Sequence, residues 1–148
     1  MHSENIKSLN FILESEYIAI NTFDELIEHA NNENIKNQLQ TIQQAHRQHA
    51  SQISTKIQNI GGNPPDSIGI EGVISETISN IKHIGTNDTA SFLKEALQGE
   101  YTGIKTINEL LITNADPNNS QLLNTIITQH QANIDSLNNI ISNLNNVE

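Results

Sequence analysis

The stretch EYIAINTFDELI (residues 16–27) returns 84 positions later, without a gap, as EYTGIKTINELL (residues 100–111), with six identities in twelve positions. Inside the first copy the apolar residues Ile20, Phe23 and Ile27 are spaced by threes and fours, and the stripe extends back to Leu9 and Leu13 and forward to Ala30. That period is helical. The 24 isoleucines would otherwise argue for strands, because β-branched side chains suit a pleated surface, but the spacing overrides composition. Over residues 16–60 against 100–144 the same offset gives 13 identities in 45, pairing Glu16, Tyr17, Ile20, Leu39, Ile42, His46 and Ile57 with Glu100, Tyr101, Ile104, Leu123, Ile126, His130 and Ile141. An ungapped match that keeps helical phase reads as a duplicated helical hairpin, and it predicts pseudo-two-fold symmetry.

Working outward, Ile35, Leu39, Ile42, Ile53 and Ile60 form the second helix, joined to the first by a polar turn around Asn31, Asn32 and Glu33. It stops at Gly61-Gly62 and Pro64-Pro65, where glycine supplies a left-handed terminus and proline cannot continue the ladder. Ile70, Ile74, Ile78 and Ile81 predict a short connecting helix over about residues 67–84. A third long helix carries Leu93, Leu97, Ile104, Ile107 and Leu111. Asp116-Pro117 is a helix start, with Asp as N-cap and Pro in the first turn, and Leu123, Ile126, Leu137, Ile141 and Leu144 continue the fourth helix. The expected architecture is all-α: a four-helix bundle in one domain over residues 1–148, with hairpins at about 3–60 and 89–146 and a crossover at about 61–88.

Composition narrows the function. Seventeen acidic against seven basic residues give a formal charge of −10, which argues against nucleic acid or an anionic membrane as partner. The absence of cysteine excludes disulfides, thiolate metal sites and cysteine nucleophiles. No run approaches the ~18 apolar residues of a membrane span, and the start MHSENIKSLN lacks a signal-peptide pattern, so a cytoplasmic location is expected. No Gly-rich phosphate loop or Ser/His/Asp set is present.

The informative residues are polar ones inside the apolar seams. The inward series of the first helix is 9, 13, 16, 20, 23, 27, 30, and position 16 is glutamate. In the second helix the series 35, 39, 42, 46, 49, 53 contains His46 and His49. The third helix carries Glu100 between Leu97 and Ile104, and the fourth carries His130 and Asn133 between Ile126 and Leu137. In an antiparallel hairpin, residues of equal height are symmetric about the turn. Glu16 and His46 are symmetric about position 31, and Glu100 and His130 about position 115, both at turns. Glu16, His46, His49, Glu100, His130 and Asn133 are therefore expected in one buried layer. A divalent cation there would neutralise both carboxylates and use imidazole nitrogens as further donors. The competing reading is a metal-free Glu/His network of buried ion pairs that fixes helix register.

Other polar residues invite less. His2, His29 and His83 lie off the seams and are expected to face solvent, and Glu25 and Glu109, at outward positions, are expected to be solvated or to face a partner rather than to act as ligands. Tyr17 and Tyr101 follow the seam glutamates, so they either donate hydrogen bonds toward the site or pack at the core edge.

Two hairpins, a long crossover and inward acid and histidine residues on all four helices resemble the ferritin-like superfamily. IGGNPPDSIGIEG (residues 60–72) and QGEY (residues 98–101) resemble a branch of small bacterial ferritin-like four-helix-bundle proteins of unassigned function. The resemblance implies a metal centre built from one Glu on each of two helices, matched by Glu16 and Glu100, and Glu-x-x-His on each of the other two. Here HRQH (46–49) and HQAN (130–133) stand in place of those motifs: His49 matches one motif histidine, His46 and His130 replace the bridging glutamates, and Asn133 replaces the second histidine. A donor set with two carboxylates where the full pattern has four predicts a transition metal ion drawn from Fe, Zn, Cu, Ni or Mn, and slow or absent catalytic iron oxidation. Assembly with further copies of the chain is expected from the same resemblance.

Overall fold

In the computed structural model the described residues are 2–66, 89–113 and 117–147. They form four long helices: α1 (His2–His29), α2 (Glu33–Asn59), α3 (Thr89–Thr113) and α4 (Pro117–Val147), with no strand among the described residues. Each helix packs on two others, α1 on α2 and α3, and α4 on α3 and α2, which closes a four-helix bundle. None of these helices is long and apolar enough to cross a membrane. The predicted connecting helix at about 67–84, Asp116 as N-cap and His83 lie outside the described residues.

Local chemistry sets the ends of α2. Asn32, extended at φ −110° and ψ 125°, accepts hydrogen bonds at Oδ1 from the Asn34 N–H at 2.8 Å and the Ile35 N–H at 3.2 Å, so the second helix begins at Glu33 rather than one residue later. At the other end Gly61 takes φ +88°, and the N–H groups of Gly61 and Gly62 donate to the carbonyls of Gln58 and Ile57. This paired closure leaves few terminal carbonyls unsatisfied and needs a left-handed residue at position 61.

The seams predicted from spacing are buried, and the stripes are wider than read. Ile12, Leu26, Phe92, Ala96, Ile134 and Ile140 join the core, while Ile27, Ile35, Ile60, Leu97, Ile104, Leu111, Ile141 and Leu144 of the predicted seams are only partly buried. The core divides in two. One apolar cluster holds Phe23, Leu26, Leu39, Ile42, Phe92, Leu93, Leu137 and Ile140; the other holds Leu9, Leu13, Ile53, Ile57, Ile107, Leu123 and Ile126. On α2, α3 and α4 the chain passes from one cluster to the other through buried polar residues, so the polar layer is a slab between two aliphatic cores. Each fully buried Leu or Ile contributes roughly 1.5–3 kcal/mol, which lets the flanking cores carry a layer that gains nothing from hydrophobic burial.

Candidate metal centre

Each polar side chain of the slab sits near the middle of its helix, where the backbone is most constrained and the flanking turns are packed. Glu16, His46, His49, Glu100, His130 and Asn133 are all buried, each at most 5 % exposed. The six residues expected to share a layer do share it.

Their contacts follow a reciprocal pattern. His46 Nδ1 lies 2.6 Å from Glu16 Oε2 within its own hairpin, and its Nε2 lies 2.6 Å from Glu100 Oε1 of the other hairpin. His130 Nδ1 bonds Glu100 Oε2 within its own hairpin, and its Nε2 approaches Glu16 Oε1 at 3.4 Å. An ionised carboxylate only accepts hydrogen bonds, so His46, gripped at both nitrogens, donates from both and is an imidazolium. Burial opposes that charge, but hydrogen bonds to Glu100 and Glu16 outweigh it and push the His46 pKa up to about 10. His130 is pushed up to about 9 by the same competition, burial against its bonds to Glu100 and Glu16. Burial would raise the Glu16 carboxyl, yet the imidazoles of His130, His46 and His49 hold it well below the usual range. Glu100 is lowered likewise, burial being outweighed by His130 and His46. Two imidazolium and two carboxylate charges make the slab neutral without any ion.

Two members of the layer stand apart. His49 Nδ1 is buried, has no hydrogen-bond partner and lies 3.7 Å from Glu16 Oε2. Asn133 directs Nδ2 toward the Glu100 oxygens at 3.4 and 3.5 Å and accepts from Gln129 Nε2 at Oδ1, 3.1 Å away. It therefore faces the site as a donor that steadies Glu100, since its own carbonyl oxygen would be repelled by the carboxylate. Glu16, His46 and His49 form one group whose potential ligand atoms lie within 4.8 Å of one another, and His46, Glu100 and His130 form a second.

The residues set aside in the sequence behave unevenly. Glu109 is exposed, whereas Glu25 and His29 are half-buried, and His29 is not simply solvent-facing. Its Nδ1–H donates to the Glu25 carbonyl at 2.8 Å and its ring, at the end of α1, lies 5.6 Å from that of Phe92 near the start of α3. Neither tyrosine donates into the site. Tyr17 Oη donates to the Pro65 carbonyl at 3.0 Å and Tyr101 is 50 % exposed. Burial and the nearby Asp66 raise the Tyr17 pKa. Spacing also missed Gly103, where an added Cβ would stand 3.1 Å from the His130 ring, and it placed Phe23 in the seam without showing that its ring lies 5.5 Å from that of His46. The signal for the first was present: two glycines four apart in mid-helix, Gly99 and Gly103.

A family model described as "Domain of unknown function (DUF2383)" matches residues 4–114. The chain belongs to this family. Among solved structures, this DUF2383 member is similar to one titled "Crystal structure of ferritin like, diiron-carboxylate proteins from Bacillus anthracis str. Ames", with a TM-score of 0.75 and 22 % identity over 95 % of this chain and 96 % of that one. At that identity the likeness shows the fold, which is ferritin-like. No curated protein matches the chain.

The donor set does not fit a pair of irons. It offers two carboxylates, and the residue between them, His46, supplies at most a neutral nitrogen donor in place of a bridging anion. It does fit a single ion: two ligands of one tetrahedral zinc at ~2.1 Å stand roughly 3.4 Å apart. The separations of Glu16 from His130 (3.4 Å) and His49 (3.7 Å) are close to that, whereas the 2.6 Å contacts of His46 are hydrogen bonds.

Proposed function

We propose that this bundle binds one divalent transition metal ion in its polar slab, with Glu16 and His49 as the starting pair and His46, Glu100 and His130 as the remaining donors. Asn133 holds Glu100 in place. The observation that carries this reading is the His49 Nδ1 atom, buried without a partner and facing a carboxylate oxygen at 3.7 Å. A buried imidazole nitrogen left unsatisfied costs about 1–3 kcal/mol, and a cation shared with Glu16 removes that cost. Imidazole-rich sites favour borderline ions, so Zn(II), Cu(II), Ni(II) or a single Fe(II) suits this set better than Mn(II). Such an ion would supply Lewis acidity or, for Fe and Cu, one-electron chemistry. Because ligands must be deprotonated, it competes with the protons that hold His46 and His130.

The contacts of His46 favour a second reading. With both nitrogens 2.6 Å from carboxylates, the slab is a self-neutralised ion-pair network that fixes the register of all four helices without metal. The metal content of untagged protein, followed by titration with Zn(II), Fe(II) and Cu(II), separates the two. One ion per chain, held roughly tenfold to a hundredfold more weakly in His49→Ala, is expected under the first reading; no uptake after reconstitution at pH 8 leaves the second. Iron oxidation by the unmodified chain is expected to be slow or absent, and the triple change His46→Glu, His130→Glu and Asn133→His is expected to increase it. Rapid, saturable oxygen consumption by the unmodified protein with Fe(II) would sink this account of the substitutions.

A further inference from the structure

A cavity of about 340 Å³ lies between α1 and α3 and ends on the polar slab. Its lining runs from exposed residues, Glu95, Gln98, Gly99 and Thr102, to the buried floor of Glu16, His46, Glu100 and His130. Between mouth and floor the wall is apolar, with Ile12, Ala19, Phe23, Ala96 and Ile107. The hydroxyls of Ser15 and Thr22, which also line it, are spent on carbonyls of their own helix, Phe11 at 3.0 Å and Ile18 at 2.8 Å. His49 and Asn133 do not line the cavity, so it reaches the slab from the glutamate side.

The two glycines of α3 differ in what they accommodate. A mid-helix glycine is destabilising relative to alanine, which asks for a reason at each position. At Gly103 the reason is the His130 ring, 3.1 Å from an added Cβ. At Gly99 an added Cβ meets nothing within 4 Å. Packing does not require glycine there, at the exposed rim of the cavity.

We propose that this cavity binds a small uncharged molecule with an apolar body and one polar end, the polar end resting on the carboxylate and imidazole groups of the floor. The proposal deepens the reading of the slab as the functional site and rests on it. Volume sets the size: small-molecule sites start near 300 Å³, and a cavity of about 150 Å³ already admits benzene, so a two-ring aromatic or a comparable aliphatic chain fits. The wall sets the apolar body, and only the floor offers hydrogen-bond partners. Charge sets neutrality: the chain carries a formal −10 and Glu95 stands at the mouth, which disfavours anions, while the apolar wall between mouth and floor disfavours a charged body.

The test uses 1-naphthol, with naphthalene and 1-naphthoate as controls, titrated into the whole chain with and without Zn(II). The chain has no tryptophan, so naphthol fluorescence is read cleanly. Saturable binding of one naphthol per chain is expected, at least tenfold tighter than either control. In Gly99→Leu, whose Cβ meets nothing within 4 Å, binding is expected to weaken at least tenfold while the melting temperature and Zn(II) uptake are retained. Zinc uptake without saturable naphthol binding overturns the inference and leaves the metal reading standing. Naphthol binding that Gly99→Leu leaves unchanged also overturns it. Naphthol binding without zinc uptake supports the cavity and counts against the metal reading alone.

Discussion

The first hairpin brings His46 and His49 to the slab, and the second brings His130 and Asn133; the same architecture is closed in two chemically different ways. Both leading histidines hold the glutamate of their own hairpin through Nδ1 and reach across the bundle through Nε2. The reach is 2.6 Å for His46 and 3.4 Å for His130. At the trailing position the first hairpin leaves His49 Nδ1 unsatisfied, whereas the second satisfies Glu100 with an amide. The difference teaches that the second hairpin is a finished hydrogen-bond network and the first retains a free donor, which is where an ion can enter.

Removing the leading histidines should give the largest effects and the clearest asymmetry. His46→Ala leaves two buried carboxylates facing each other, and in metal-free protein it is expected to cost about 3–5 kcal/mol in denaturant unfolding. His130→Ala should cost less, because His46 still bridges Glu16 and Glu100. Equal or reversed losses would show that the cross-bundle distances do not rank the two hairpins.

pH sharpens the same ranking. A histidine pKa raised on folding contributes stability that is fully present below the unfolded value of 6.5 and is lost as pH rises through the folded value. Metal-free stability should therefore decline above about pH 6.5, until about pH 9 for the share of His130 and about pH 10 for that of His46. On the acid side the lowered Glu16 and Glu100 contribute stability present above 4.5 and lost as pH falls through their depressed values. The midpoint of urea unfolding, followed from pH 3 to 10.5, reads both limbs; in His130→Gln the alkaline decline should be shallower up to about pH 9. A stability curve indifferent to pH above 8 would mean that the imidazoles are not charged in the fold.

The trailing positions differ by ligand role. His49→Ala is expected to weaken Zn(II) binding by roughly tenfold to a hundredfold, and Asn133→Ala by less. Zn(II) affinity should rise with pH as the imidazolium protons are released. Calorimetric titrations of both variants at pH 6.5 and 8.5 provide the comparison, and a larger loss from Asn133→Ala would reverse the assignment of the free donor.

The smallest expected contrast lies in the paired tyrosines. Tyr17→Phe loses its hydrogen bond to the Pro65 carbonyl and should cost about 1 kcal/mol, whereas Tyr101→Phe, at an exposed position, should fall within ~0.5 kcal/mol of zero. Equal costs, measured by chemical denaturation, would show that the Pro65 contact adds nothing.

Much of this molecule follows from spacing alone. Glu16, His46, Glu100 and His130 occupy seam positions of a 3.6-residue period, and their symmetry about positions 31 and 115 sets their height, because an antiparallel hairpin converts sequence distance from its midpoint into position along the axis. The same period, with Asn32 and Gly61 as local stops, decides that the chain is a bundle of long helices. Spacing could not say which atoms meet. Whether His46 grips one carboxylate or two, whether Asn133 presents its amide nitrogen, and whether Tyr17 turns to the site or to Pro65 depend on side-chain rotamers and on packing between hairpins far apart in sequence. The cavity beside Gly99 is of the same kind: a glycine in a sequence says only that a side chain is absent, and the facing surface of α1 decides whether that absence is filled by a ring, as at Gly103, or left open.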